Sequence, residues 1–278
     1  MKEKAYAKIN LCIDVVRKRE DGYHDLEMVM LPIDYFDWVI IEKDIETTFK
    51  SNAGYLPIND KNTVIKAINI IKKDYNITDE FRIEVIKHIP TRGGLAGGSA
   101  DGAAAIRIMN RMYNLKMSQE KLIEIGKRVG SDVPFCIFNR CAYVSGTGDT
   151  LEMFDIDFDY EILLVKPGGG IATPRAFNAL NIELADHPDC KEMMRGLIEK
   201  DHNKIKANLL NSLEEPALRI NKKINAVKNE LKELGFDLVL MSGSGATVFA
   251  LSKDKRLIRE AHKIMKSKKY FTRATKTL

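Results

Sequence analysis

The chain has 278 residues, of which 45% are hydrophobic and 30% are charged, as in a globular protein of one or two domains. Its 44 basic and 39 acidic residues leave a net charge of +5, which suits an anionic substrate. We expect no nucleic-acid partner, because the only sharp basic cluster, KIMKSKKYFTRATKTL, is interpreted as a solvated helix face followed by a strand.

No apolar run reaches the length of a membrane span and no signal sequence opens the chain, so we expect a cytoplasmic protein with no membrane partner. The four cysteines and five histidines lack the spacing of zinc ligands. We therefore expect no zinc site, and reduced, mostly buried thiols at Cys12, Cys136, Cys141 and Cys190.

The first predicted element is a strand over residues 5–15, where apolar residues alternate with polar ones. This alternation puts Lys8 and Asn10 side by side on the face opposite the core. Taken alone, the pair is interpreted as part of an exposed strand face.

A turn at Asp21-Gly22 leads directly into Tyr23 and His24. An aromatic ring beside an imidazole can stack on a planar ligand and hydrogen-bond its edge. The same pair can equally begin a strand with its polar groups satisfied, and the spacing leaves both interpretations open. A strand at residues 38–42, an amphipathic helix at 62–73 and a strand at 81–87 follow.

The most distinctive stretch is PTRGGLAGGSADGAAA, residues 90–105, in which four glycines precede a serine and a helix predicted over 103–113. Glycines let a ligand approach the backbone, and the N-terminus of a helix attracts phosphate. The stretch therefore predicts a phosphate-binding loop, with a flexible surface loop as the alternative. It lacks the Gly-Lys-Ser/Thr of a Walker A loop and the spacing of a dinucleotide fingerprint, so any lysine must come from elsewhere.

After this loop, a helix capped by Ser118 and ended by Gly130 is followed by Asp132 on a turn. Asp132 either caps the next short helix or acts as a catalytic carboxylate, and the spacing does not decide between these roles.

Strands are then predicted at 142–145 and 161–166, the second ending in a glycine-rich connector at 167–170. A helix begins at Thr173, where Phe177 is interpreted as a packing residue. One long helix is predicted from Pro216 to Gly235. Two apolar strands flank residues 242–245, which form either a simple hairpin turn or a second ligand-binding glycine loop.

These features, in this order, resemble the GHMP kinase superfamily, which includes galactokinase, homoserine kinase and mevalonate kinase. The three matching motifs are the strand with Lys8 and Asn10, the glycine loop at 90–105 and the late stretch MSGSGATVFA. The resemblance covers essentially the whole chain and implies a two-domain α/β (α+β) fold. A ribosomal-protein-S5-domain-2-like, ATP-binding N-terminal domain would span residues 1–160, and a ferredoxin-like, substrate-binding C-terminal domain would span 161–278.

The opening stretch AKINLCIDVVRKREDGYHDLEMVM is most similar to members that phosphorylate the 2-hydroxyl of 4-diphosphocytidyl-2-C-methyl-D-erythritol, in the non-mevalonate pathway of isoprenoid and terpenoid biosynthesis. The resemblance implies ATP as the phosphate donor, with Mg²⁺ on the nucleotide, and we expect a monomer or a weak homodimer. Phosphorylation of another small alcohol, such as homoserine or mevalonate, is the alternative. A non-catalytic nucleic-acid-binding protein on the same fold is a more distant one.

The resemblance also implies roles for individual residues. In the catalytic pair, Asp132 would accept the hydroxyl proton and Lys8 would orient the attacking oxygen and offset its charge. The implied ATP-binding residues are Asn62, Lys87, Pro90, Gly93, Gly94, Leu95, Ala96, Gly97, Gly98, Ser99 and Ala100. The implied substrate-binding residues are Asn10, Tyr23, His24, Thr173, Phe177, Gly243, Ser244 and Gly245. No protein ligand to the metal is predicted.

Within these sets, Tyr23 and Phe177 would stack on the cytosine while His24 hydrogen-bonds its edge, and Asn62 and Lys87 would lie near the adenine. The chain departs from the family pattern at four places. These are Arg92 in the glycine loop, Asp101 where some members have asparagine, Ser212 where the family often has the aspartate of Asn-Asp-Leu/Phe-Glu, and residues 28–31, which lack an aromatic residue found in some members. The departures weaken the implied adenine and base contacts but leave the catalytic pair untouched.

Overall fold

The computed structural model describes all 278 residues and contains ten strands and ten α-helices. The strands are β1 Lys2–Lys18, β2 His24–Asp44, β3 Thr48–Ser51, β4 Glu80–Ile86, β5 Ala142–Gly146, β6 Thr150–Met153, β7 Glu161–Lys166, β8 Leu238–Met241, β9 Val248–Ser252 and β10 Phe271–Thr275. The helices are α1 Thr63–Asp74, α2 Gly97–Met112, α3 Gln119–Val129, α4 Val133–Phe138, α5 Thr173–Asn178, α6 Cys190–Glu199, α7 His202–Asn208, α8 Glu214–Ile220, α9 Lys223–Glu233 and α10 Lys255–Ser267. None of these helices combines the length and the apolar character that crossing a membrane requires.

The chain forms two compact units that are not consecutive in sequence. The first unit consists of Met1–Ala7, Tyr35–Pro90 and Ala96–Asn139, and the second of Lys8–Asp34, Thr91–Leu95 and Arg140–Leu278. The predicted division at residues 160/161 coincides with the start of β7 but not with the limits of these units. That division stays a prediction.

In the first unit, the later part of β2 pairs antiparallel with β4, and β4 pairs in parallel with β3. Helix α2 packs against α1 and α4. Apolar residues recur along α1 at helical spacing and are buried, and Asn62 caps this helix by accepting a hydrogen bond from the Val64 N–H. The helix and the strand predicted for this region are confirmed.

In the second unit, the order of elements from β7 onward is strand, helices, two strands, helix and strand. The strands form an antiparallel sheet in the order β10-β7-β9-β8. This is the ferredoxin-like arrangement. The first part of β2 pairs with β5, which in turn pairs with β6.

The last residues of the chain are tied to the middle of β2 within the second unit. The Asp34 N–H donates to the Lys276 carbonyl at 2.8 Å, and the Thr277 hydroxyl donates to the Pro32 carbonyl at 3.1 Å. The Thr275 hydroxyl donates to the Asp34 carbonyl at 2.9 Å. These bonds place a segment that follows β10 alongside a strand more than two hundred residues earlier.

Three predicted elements differ from the structure. Helix α2 begins at Gly97 rather than at 103, so the second pair of loop glycines forms its first turn. Strand β2 begins at His24 and not near residue 38. The single helix predicted from Pro216 to Gly235 is wrong: α8 and α9 are separated at Asn221, whose side chain accepts from the Lys223 N–H and donates to the Gly168 carbonyl.

Candidate active site

Lys8 and Asn10 lie in the middle of β1 and are almost completely buried, with 4% and 0% of their surfaces exposed. The Lys8 ammonium donates to the Asn10 side-chain oxygen at 2.6 Å, and the Asn10 amide contacts the Met28 sulfur. The interpretation of this pair as an exposed strand face is therefore wrong, because β1 is covered on both faces from Ala7 to Ile13. A lysine buried at this depth needs polar partners, which makes the pair a strong candidate site.

Ser242 connects this strand to the first part of the glycine loop. Its hydroxyl lies 3.4 Å from the Asn10 N–H and donates to the Gly94 carbonyl at 2.9 Å. The Thr247 N–H donates to the Gly93 carbonyl at 3.2 Å, so residues 93–94 lie alongside the turn between β8 and β9. The turn is part of a hairpin, as one interpretation predicted, and it also holds the glycine loop.

The approach between these two loops requires glycine. Gly94 has φ +73°, and a Cβ atom there would lie 1.9 Å from the Ser242 carbonyl oxygen. Gly243 has φ +56°, and a Cβ there would lie 3.0 Å from the Gly94 carbonyl oxygen. The glycine pattern in this half of the loop therefore serves backbone packing.

The second half of the loop is the N-terminus of α2, in the first unit. Ala96 precedes the helix in the left-handed conformation, and no side chain caps the helix. The N–H groups of Gly97, Gly98 and Ser99 have no acceptor within the helix. Gly98 is exposed, and the nearest atom to a Cβ placed on it is the Thr63 hydroxyl at 4.0 Å. An open, uncapped helix N-terminus lined by small residues fits a phosphate group.

The other residues predicted to bind ATP are buried or half-buried, and the polar ones bond to other groups of the protein. Pro90 is half-buried, and Leu95 and Ala100 are buried. The Asn62 side chain caps α1 and donates to the Pro57 carbonyl at 3.0 Å. The Lys87 ammonium is buried between the carboxylates of Asp37 and Asp101. Adenine contacts by Asn62 and Lys87 stay predictions.

Asp132 precedes α4 in the first unit and is half-buried. Its carbonyl accepts from the Cys136 N–H, but its carboxylate makes no capping hydrogen bond to this helix. Of the two roles left open by the sequence, capping is therefore not observed. Lys8 belongs to the second unit, so the pairing of Lys8 with Asp132 stays a prediction.

Two of the three predicted base-binding residues, His24 and Phe177, come together in the second unit. The rings of His24 and Phe177 pack with centroids 4.9 Å apart, and Tyr23, which precedes His24 in sequence, is 63% exposed. Burial, with a smaller contribution from the positive charge of Lys18, lowers the pKa of His24. The imidazole is therefore neutral at neutral pH and can both donate and accept a hydrogen bond.

Thr173 and Ser244 also meet in the second unit. Thr173 is the first residue of α5, and its hydroxyl lies 3.0 Å from the Ser244 hydroxyl. Gly245 follows in the left-handed region, with φ +84°. The structure thus brings Thr173 to the late glycine turn, while its contact with substrate stays a prediction.

Two further residues are not predicted from the sequence, Ser242 in the second unit and Asp37 in the first. Ser242 was seen only as part of a turn, and nothing local distinguishes it from Ser244. Asp37 is fully buried and binds Lys87. The sequence does contain a signal for Asp37, an aspartate within the apolar run DYFDWVII. Burying an acid without a partner costs free energy, so an acid in such a run indicates a buried partner.

Comparisons with known proteins identify the family of the chain. A family model described as "GHMP kinases N terminal domain" matches residues 62–140, and one described as "GHMP kinases C terminal" matches residues 193–270. The 4-diphosphocytidyl-2-C-methyl-D-erythritol kinase of Clostridium beijerinckii is 39% identical over 96% of this chain and 96% of its own length. The enzyme of that name from Bacillus subtilis is 39% identical over 90% of this chain and 87% of its own.

A crystal structure of 4-(cytidine 5'-diphospho)-2C-methyl-D-erythritol kinase has the same fold, with a TM-score of 0.83 and 26% identity over 100% of this chain and 99% of that one. The predicted two-domain α/β fold is confirmed. With relatives of this identity over nearly its whole length, the chain belongs to the GHMP kinases and, within them, to the family of its 4-diphosphocytidyl-2-C-methyl-D-erythritol kinase relatives.

Proposed function

We propose that this protein transfers the γ-phosphoryl group of ATP to the 2-hydroxyl of 4-diphosphocytidyl-2-C-methyl-D-erythritol, a step of the non-mevalonate route to isoprenoids. The observation that carries the proposal is the aromatic group of Tyr23, His24 and Phe177. An exposed phenol ring beside a neutral imidazole suits a planar base with hydrogen-bonding edges. Homoserine and mevalonate have no such base. The two relatives at 39% identity that carry this name support the same substrate.

In this proposal the chemistry is an in-line displacement at the γ-phosphorus. The substrate oxygen forms the new O–P bond, the bond to the β-phosphate oxygen breaks, and ADP leaves. Asp132 takes the proton of the hydroxyl, and the Lys8 ammonium offsets negative charge on the attacking oxygen. Asn10, which accepts a hydrogen bond from Lys8, keeps that ammonium in one orientation.

The N–H groups at the start of α2 hold the ATP phosphates in this proposal, aided by the helix dipole. Mg²⁺ bound to the nucleotide supplies further neutralisation of phosphate charge. The chain contains no group of three or more His, Cys, Asp or Glu side chains that could hold a metal ion. Binding through phosphate oxygens and water, a common mode for Mg²⁺, would suit an ion that arrives with the nucleotide.

The test is a coupled assay of ADP release with three alcohols: the cytidyl substrate, homoserine and mevalonate. We expect kcat/KM for the cytidyl substrate to exceed that for homoserine or mevalonate by at least about 100-fold, because a site built to bind the base discriminates against alcohols that lack it. Equal or faster turnover of homoserine or mevalonate would contradict the proposal. A cytoplasmic location and a monomer or weak homodimer remain part of it, and size-exclusion chromatography with light scattering tests the latter.

A further inference from the structure

Beneath the first turn of α2 lies a group of three buried charged side chains, Asp37, Lys87 and Asp101, which we name the Lys87 cluster. The Lys87 side chain is 6% exposed, and those of Asp37 and Asp101 are 0% and 5% exposed. The Lys87 ammonium binds Asp37 and lies 2.5 Å from an Asp101 oxygen. Nothing in the proposed phosphoryl transfer uses these three residues directly.

The cluster joins three elements of the first unit. Asp37 belongs to β2, Lys87 follows the last residue of β4, and Asp101 lies in α2. Asp37 also accepts hydrogen bonds from the N–H groups of His88 and Ile89, the latter at 2.8 Å. The lysine is therefore fixed to the sheet on one side and to the phosphate-binding helix on the other.

The cluster lies directly against the start of that helix. A Cβ atom on Gly97, the first residue of α2, would be 3.4 Å from the Lys87 ammonium and 3.0 Å from an Ile89 methyl group. On the neighbouring side, the Thr63 hydroxyl donates to the Gly98 carbonyl at 2.5 Å. The first turn of α2 thus rests on the lysine and is held laterally by Thr63.

Two carboxylates share one ammonium in a buried site, so with both carboxylates ionised the cluster carries one negative charge in excess. One oxygen of Asp101 is buried without a hydrogen-bond partner. Burial raises the pKa of Asp101 to about 7, against the opposing effect of Lys87, while Asp37 adds to the rise. When Asp101 is protonated, the cluster has no net charge beneath the phosphate site, where a net negative charge would repel ATP.

We propose that Lys87 is a positioning residue for the ATP phosphates: held between Asp37 and Asp101, it fixes the first turn of α2 and its N–H groups without touching the nucleotide. This inference rests on the proposed function in taking the nucleotide to bind at α2. It differs from the expectation that Lys87 binds ATP near the adenine, because two of the three N–H donors of its ammonium are directed at carboxylates.

The test compares binding of ATP with binding of adenosine, because only ATP carries phosphates that can bind at the start of α2. Four variants are measured by titration calorimetry, with adenosine followed by competition where binding is weak: Lys87→Met, Asp101→Leu, Asp101→Asn and Lys66→Met. Lys66 is the matched control, since this half-buried lysine of α1 donates to the Val129 carbonyl at 3.1 Å and not to α2.

We expect Lys87→Met and Asp101→Leu to raise the Kd for ATP at least tenfold and to leave that for adenosine within about twofold of wild type. The conservative Asp101→Asn retains a side chain that Lys87 can bind and should restore ATP affinity to within a few-fold. Asp101→Leu keeps Lys87 paired with Asp37, so it decides the question if Lys87→Met does not fold.

Equal losses of ATP and adenosine affinity would place Lys87 at the adenine and overturn the inference. Wild-type ATP affinity in either Lys87→Met or Asp101→Leu would also overturn the inference. The same holds if Lys66→Met loses as much ATP affinity as Lys87→Met does. The binding measurements need no acceptor alcohol. Failure of every alcohol in the ADP-release assay, together with the expected binding pattern, would therefore contradict the proposed function and leave the role of Lys87 intact.

Discussion

Replacing Gly94 by alanine tests the close approach between the glycine loop and the late turn. The new Cβ would lie 1.9 Å from the Ser242 carbonyl oxygen, so the two backbones must separate by about 1.5 Å to reach ordinary contact. That movement breaks the bond from the Ser242 hydroxyl to the Gly94 carbonyl and strains the bond from the Thr247 N–H to the Gly93 carbonyl.

The cost follows from these losses. A left-handed backbone costs an alanine about 1–2 kcal/mol, and each broken hydrogen bond about 1 kcal/mol. We therefore expect Gly94→Ala to lower the free energy of unfolding by about 3 kcal/mol. Because the displaced loop runs into the start of α2, kcat/KM for ATP should fall by about 100-fold, the usual effect of misplacing reacting groups by 1 Å.

Two glycines serve as controls for Gly94→Ala. Gly235 has φ +103° with no atom within 4 Å of its Cβ position, so Gly235→Ala should show only the backbone cost, about 1–2 kcal/mol, with unchanged kinetics. Gly54 has neither constraint, and Gly54→Ala should be nearly neutral. Urea unfolding and steady-state kinetics measure both quantities. A Gly94→Ala enzyme that resembles Gly235→Ala in stability and ATP kinetics would refute the reasoning.

Three further predictions concern single side chains. Asp132→Asn should reduce kcat by at least about 100-fold while ATP binding by calorimetry stays within a few-fold of wild type, and near-normal turnover would remove its role as general base. Tyr23→Ala should raise KM for the cytidyl substrate about tenfold or more and KM for ATP little, whereas equal changes would place Tyr23 outside the substrate site. The raised pKa of Asp101 means that the folded protein keeps a proton that the unfolded chain releases, so its contribution to stability declines as pH rises from about 4 through about 7. Melting temperatures from pH 5 to 8 should fall more in wild type than in Asp101→Asn, and parallel profiles would contradict a buried neutral Asp101.

The sequence predicted elements well wherever local chemistry determines them. The period-two pattern of β1, the apolar periodicity of α1 and the Ser118 cap of α3 were each correctly interpreted, because each signal lies within the element that it determines or next to it. Asn221 shows where prediction from local sequence fails. Apolar residues continue at helical spacing across it, but its side chain bonds to the Gly168 carbonyl, a partner that is over fifty residues away.

In the candidate site, too, residue types could be predicted from the sequence, whereas contacts between distant residues could not. Residue types and motifs identified Lys8, the glycine loop and Tyr23-His24, because phosphate and base binding demand recognisable side chains. Their burial was not predictable, since Lys8 and Asn10 are covered by segments far along the chain. Ser242 and Asp37 were missed because each acts by a contact with a distant residue, at Gly94 and Lys87 respectively.

The bonds between Pro32, Asp34 and residues 275–278 have a consequence for biosynthesis. During translation, the hairpin of β1 and β2 leaves the ribosome first, yet its partners in the second unit include the segment after β10. The backbone groups of Pro32 and Asp34 therefore lack these partners until residues 275–278 are released. Nascent chains stalled before residue 270 should therefore be protease-sensitive around residues 30–34, and a fragment beginning at residue 161 lacks strands that its own unit requires.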